Sequence, residues 1–165
     1  MSTKTEQYVI NNYAYAKKAG DRFKIDPLVI LAQGSFESAW GNSSLAKKHN
    51  NFFGITAGGK PNEFWKGGVY QAQNQYKLKF RTYASPQDSF NDFARLIASN
   101  YKAAHAVATD YKLYAEKIAH SPYISEKNGD NRISYMKGLI ANYENILDIA
   151  KKKVYLLNQD SPLQE

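Results

Sequence analysis

At 165 residues, with 43% hydrophobic and 14% aromatic content, the chain can bury one sizeable core but is too short for two ordinary domains. Its 22 Lys and Arg against 15 Asp and Glu give a formal charge of +7, which makes polyanions such as nucleic acid, an anionic membrane or a bacterial wall natural partners. The absence of cysteine excludes disulfides, thiol nucleophiles and thiolate metal sites, and His49, His105 and His120 have no recognised ligand spacing.

The start, MSTKTEQYVINNYAYAKKAG, lacks an apolar core behind a basic flank, so no secretory signal is expected in it. No run approaches the ~20 apolar residues of a membrane span, and no membrane insertion is expected. Thr3 and Glu6 have capping-box spacing, and Val9, Tyr13 and Ala16 recur at helical period before Gly20 supplies a stop. Asp26 and Pro27 open a second helix, marked by Leu28, Leu31, Ala32 and Ser35, which runs to about Trp40 and ends at Gly41 and Asn42. Ser43 starts a short helical turn through Lys48. From Thr56 the period changes: GGKPNEFWKGG is turn-rich, and VYQAQNQYKLKFRTY alternates as one or two strands do, giving a β lobe at about 56–83. Ser85 and Pro86 restart helix with Phe90, Phe93, Ala94 and Ile97 inward, and Asp110 caps another through Ile118. A last helix from Asn131 carries the stripe Ile133, Met136, Ile140, Tyr143, Leu147 and Ala150, with the basic run Lys151 to Lys153 complementing the dipole at its end. The reading is α+β: one domain over residues 1–156 and a loose tail over 157–165.

The chemically informative stretch is AQGSFESAWG, residues 32–41, which puts a lone carboxylate between two large aromatics near a helix end. Phe36 and Trp40 can desolvate Glu37, and the negative end of the helix dipole disfavours its charged form. A glutamic acid kept protonated is what leaving-group protonation needs, while an exposed helical glutamate is the plain alternative. Gly34, one turn earlier, removes bulk where a sugar would approach.

Four stretches in order carry a resemblance: PLVILAQGSFESAWG at 27–41; Ser44, Leu45 and Ala46 with NNFFGI at 50–55; FRTYAS at 80–85 with Asp88 and Ser89; and ATDYKLYAEKI at 108–118. Together they resemble glycoside hydrolase family 73, the N-acetylglucosaminidases of bacterial autolysins, flagellar rod-cap proteins and some phage lysins. The resemblance implies a lysozyme-like fold, with a helical body, a small antiparallel β lobe and a glycan cleft between them. It implies a peptidoglycan hydrolase that cuts the β-1,4 bond after N-acetylglucosamine. No cofactor or metal is expected, since an acid and a polarised water or acetamide suffice for glycoside hydrolysis. Glu37 matches the general acid, Tyr114 the cleft tyrosine, and Trp40 and Phe53 the aromatic positions near bound sugars. Asn50 and Asn51 are candidates for the N-acetyl groups, although asparagines between elements also simply make turns.

Two departures stand out. Many relatives carry a second carboxylate in the β segment, where this chain offers only Glu63 between Thr56 and Lys79; it is the candidate base by elimination. The alternative is assistance by the substrate's own acetamido group. Tyr111 to Leu113 also adds one residue to the family's Asp-Pro-x-Tyr spacing. The rivals are a muramidase or lytic transglycosylase of the same fold, a non-catalytic wall-binding module, and a nucleic-acid binder suggested by charge alone. The glycan strand of peptidoglycan is the partner expected. Action is expected at the bacterial wall, in the periplasm or outside the cell.

Overall fold

The computed structural model describes residues 3–125, 130–153 and 155. Helix α1 (Lys4–Phe23) begins as its sequence dictates: Thr3 Oγ1 accepts from the Glu6 amide, and the Glu6 side chain reaches back to the Thr3 amide. Gly20 does not stop it. The helix runs one turn further to a left-handed cap at Lys24. Gly20 instead permits a close reversal, because a Cβ there would stand 2.4 Å from the Ile25 carbonyl oxygen.

Asp26 caps helix α2 (Pro27–Glu37), with Pro27 at its first turn. Residues Leu28 through Ser35 are all buried, so α2 is covered around its circumference, with α1 on one side and the last helix on another. It ends at Glu37, three residues before the expected Trp40. Ser38 Oγ bonds back to the Gly34 carbonyl and receives the Gly41 amide, and Ala39, Trp40 and Gly41 all take positive φ values. Helix α3 (Ser44–His49) follows from its Ser43 cap.

The β lobe is smaller than its sequence suggested. Strand β1 (Val69–Gln71) pairs antiparallel with β2 (Lys79–Arg81), with Tyr70 opposite Phe80, and Thr56 bridges the other edge of β2 at Phe80. The rest of the 56–83 region is turns. Helices α4 (Pro86–Asn100), α5 (Lys102–His105) and α6 (Tyr111–Ala119) lead to α7 (Asp130–Lys152). The four-residue α5 has no apolar period and was not expected.

The core lies between α1, α2, α4, α6 and α7. On α7 the buried face is Leu139, Tyr143, Ile146, Ile149 and Ala150, rotated from the expected stripe and leaving Ile133 exposed. The proposed tail, 157–165, lies outside the described residues. Among the described residues no helix is long and apolar enough to cross a membrane.

Candidate active site

The end of α2 places Glu37 in the wall of an open cavity of about 260 Å³ between the helical body and the β lobe, lined also by Phe53, Gly54, Ile55, Thr56, Leu96, Tyr101 and Tyr123. The residue as a whole is exposed, yet its carboxyl is set low in this cavity, and burial raises its pKa above the ordinary glutamate value. Among the described residues no hydrogen bond or ion pair reaches it. Gly54 lies against it: a Cβ there would stand 3.0 Å from Glu37 Oε2, and the φ of +65° is one that glycine adopts without strain.

The surroundings of Glu37 differ from those its sequence neighbours suggested. Phe36 turns away and stacks on Tyr135, with ring centroids 5.4 Å apart. Trp40 meets Tyr8 edge-on and lines a separate cavity of about 400 Å³ that no carboxylate lines. Residues distant in sequence enclose the acid instead. Burial pushes the phenols of Tyr123 and Tyr135 upward, and the Glu37 charge adds to both shifts. Gly34 makes room for the Tyr8 hydroxyl and the Phe53 ring, which a Cβ would meet at 2.6 and 3.1 Å, so the space it leaves goes to the core and none to a sugar.

Behind this layer runs a buried hydrogen-bond chain. Tyr114 donates to Gln33 Oε1, and Gln33 Nε2 donates to Tyr135 at 3.1 Å. Gln33 and Tyr114 are fully buried polar residues whose groups satisfy each other, which fixes the Tyr135 ring beside the cleft.

A second buried cluster holds the opposite wall. Asp92 on α4 accepts from Arg81 (2.8 Å), Tyr83 (2.5 Å), Arg95 (2.9 Å) and Asn62 (3.0 Å). Burial alone would raise its pKa, but the bonds from Tyr83, Arg95 and Arg81 win and hold it below the ordinary aspartate value. Arg81 also stacks on Trp65, 4.1 Å from the ring centroid, and donates to the Gly58 carbonyl.

The family model for glucosaminidase, described as mannosyl-glycoprotein endo-beta-N-acetylglucosaminidase, matches residues 13–148. The chain belongs to this glucosaminidase family. The exo-glucosaminidase LytG of Bacillus subtilis is 31% identical over 127 residues, 69% of this chain and 44% of that protein. The peptidoglycan hydrolase FlgJ of Vibrio parahaemolyticus is 26% identical over 146 residues, 80% of this chain and 46% of that protein. The chain thus spans about half the length of these curated relatives. In fold it is similar to the glycoside hydrolase domain of Salmonella typhimurium FlgJ, with a TM-score of 0.71 at 24% identity, covering 97% of this chain and 99% of that one. The lysozyme-like α+β architecture expected from the sequence is the one found.

Of the residues expected at the site of this glucosaminidase domain, Glu37 and Phe53 share the cavity, although Phe53 is buried and stacked on Phe93 with its centroid 4.1 Å away. Tyr114 is corrected from a cleft residue to an interior one, since it has no exposed surface. Asn50 caps α3 in a left-handed conformation and donates to the Tyr83 carbonyl. Asn51 is buried, donating to the Ile55 and Arg81 carbonyls and accepting from the Phe53 and Ile55 amides, which leaves its amide no capacity for an acetyl group. Both asparagines shape the loop that forms one wall. Glu63 is not brought to Glu37 in this structure: it does not line the cavity and binds Arg22, at the end of α1, through both oxygens at 2.9 and 2.6 Å. The hydrogen bond from Arg22 lowers its pKa.

Sequence reasoning missed Tyr101, Tyr123 and Tyr135. In a chain with 13 tyrosines they lack a distinguishing local pattern, and only the packing of α4, α6 and α7 brings them together. Among the described residues, no group of His, Asp and Glu is arranged to hold a metal ion.

Proposed function

We propose that this domain hydrolyses the glycan of peptidoglycan at the β-1,4 bond after N-acetylglucosamine, with Glu37 protonating the leaving oxygen. The observation that carries the reading is the Glu37 carboxyl: open to a cleft, without a cationic partner among the described residues, and shifted by burial toward its protonated form. LytG and FlgJ, named as a glucosaminidase and a peptidoglycan hydrolase, support the substrate and the bond. Such a substrate places the action at the bacterial wall, in the periplasm or outside the cell. The test is to digest purified peptidoglycan, reduce the products and identify the reduced sugar by mass spectrometry. Reduced N-acetylglucosamine ends support the proposal; reduced muramic ends mean a muramidase, anhydro ends a transglycosylase, and no cleavage a binding module.

The second half of the reaction has two readings. Glu63 as base would have to leave Arg22 and approach Glu37 with a water between them, giving inversion at carboxyl separations of roughly 6.5 to 9.5 Å. The Arg22 clamp favours the other reading, in which the substrate's acetamido oxygen attacks the anomeric carbon as Glu37 delivers its proton. Water then opens the cyclic intermediate, and configuration is retained. Proton NMR of the first-formed anomer decides between them: a retained anomer, with Glu63→Gln mild, supports acetamido assistance, and inversion with a crippled Glu63→Gln supports the base.

A further inference from the structure

The Glu37 cavity does not end at Tyr101. Ile55, Thr56, Leu96 and Tyr101 also line a neighbouring cavity of about 450 Å³, so the two form one continuous cleft. The character of the walls changes along it. Around Glu37 they are apolar and aromatic, whereas the far end is bounded by Lys60, Arg81, Arg95 and Asn100 and by no carboxylate. Asp92, behind the wall, offsets one of the three cations, which leaves an excess of positive charge facing the cleft.

The donors there are also unspent. Arg95 uses only Nε on Asp92, so its two terminal nitrogens have no acceptor among the described residues, and its side chain is 27% exposed. Lys60 is exposed and has no ion pair or hydrogen bond among them. Arg81 is nearly fully buried, and its Nε has no hydrogen-bond partner. A guanidinium fork with free nitrogens beside an ammonium matches a carboxylate better than a neutral sugar hydroxyl.

From this we infer that the far end of the cleft is a carboxylate-recognition subsite, in which Lys60 Nζ and the terminal nitrogens of Arg95 hold an acidic group on the glycan. The inference rests on the glucosaminidase reading above and deepens it, because it separates acidic wall glycan from neutral polymers of N-acetylglucosamine. A wall glycan has two sources of this chemistry: the lactyl carboxylate of a muramic residue whose peptide has been removed, and the carboxylates of an attached stem peptide.

The test compares soluble peptidoglycan fragments with the same fragments after their carboxyls have been converted to amides. Calorimetric binding to Glu37→Gln protein is measured alongside kcat/KM of the active enzyme. Native fragments should be preferred about three- to fivefold, the size of one partly exposed charge contact. In Lys60→Gln that ratio should fall toward one, and Lys60→Arg should restore it. Lys18→Gln removes an equal charge from an exposed site on α1 and should keep the ratio, which separates the subsite from the general field of the chain. Peptide-stripped fragments then assign the source. Fragments with intact stems read the peptide carboxylates, because their lactyl carboxyl is tied up in an amide bond, and stripped fragments compared with their own amides read the freed lactyl carboxylate. A ratio of one in the unsubstituted protein, a ratio untouched by Lys60→Gln, or an equal fall in Lys18→Gln would each overturn the subsite. Failure of the enzyme to release any reducing end would refute the glucosaminidase reading alone, since the binding ratio is read on inactive protein.

Discussion

A carboxylic acid that must give its proton to a leaving oxygen is useful only while it still carries that proton. Desolvation moves Glu37, the proposed acid, toward this condition, and two expectations follow. Activity should decline as pH rises through the raised pKa of Glu37, at a higher pH than an ordinary glutamate would give, a limb visible in kcat/KM against pH. Glu37→Gln should lower turnover by at least ~10²-fold while leaving glycan binding in place. The same substitution has a signature in stability. Because the folded pKa is raised, what Glu37 contributes to stability is full below the ordinary value and is lost as pH rises through the folded one. Glu37→Gln should therefore melt at or above the parent temperature at neutral pH and match it in acid; a lower melting temperature at neutral pH would show the carboxylate to be favourably partnered. Glu37 stood out in the sequence because its helix, its end and its aromatic neighbours are all local. The physical cause assigned to it was only half legible: Phe36 and Trp40 are adjacent in sequence, but the left-handed turn at Ala39 to Gly41 sends Trp40 to the other side, and Tyr123 takes its place.

Caps and turns carry the elements, and these are written in short sequence words, which is why Thr3, Asp26, Ser43, Ser85 and Asp110 all stand where the sequence put them. Faces and tertiary partners are not written that way. Period alone misplaced the buried face of α7, since a half-apolar helix can be turned to satisfy Tyr143, whose hydroxyl reaches Asp26 at 2.5 Å, and α6, which packs on it. The β lobe shows a similar limit. Two strands of three residues each have few ladder bonds, and their position depends on Asp92 in α4 gathering Arg81, Tyr83 and Asn62. Asp92→Asn would leave Arg81 buried with its charge uncompensated, at a cost of about 3–5 kcal/mol. For a chain of this size that is a fall of roughly 10 °C in Tm, measurable by calorimetry. Loss should be greatest at neutral pH and shrink as acid protonates Asp92 in the parent, because a lowered folded pKa gives stability that disappears as pH falls through it.

Across the described residues, α1 touches α2, α4 and α7, so the helical body has one shared interior. The cleft, by contrast, was legible only as a family expectation, because its two sides come from residues as far apart as Glu37, Thr56, Leu96 and Tyr123. The two sides should differ in mobility for a physical reason. Backbone amides of Val29 to Ser35 lie under packed side chains, whereas Gly58 to Gly67 is turn-rich and mostly exposed, joined to α1 by the exposed pair Arg22 and Glu63 and anchored below by Asn62, Phe64 and Trp65. Hydrogen exchange followed by mass spectrometry should therefore be slowest in the 29–35 segment and faster by orders of magnitude in 58–67; equal rates would mean that the β lobe is as firmly held as the core. The enclosure of α2 on all sides thus has a mechanical meaning. The proposed proton donor is mounted on an anvil, and whatever adjustment the proposed glycan demands on entering would have to be made by the opposite rim.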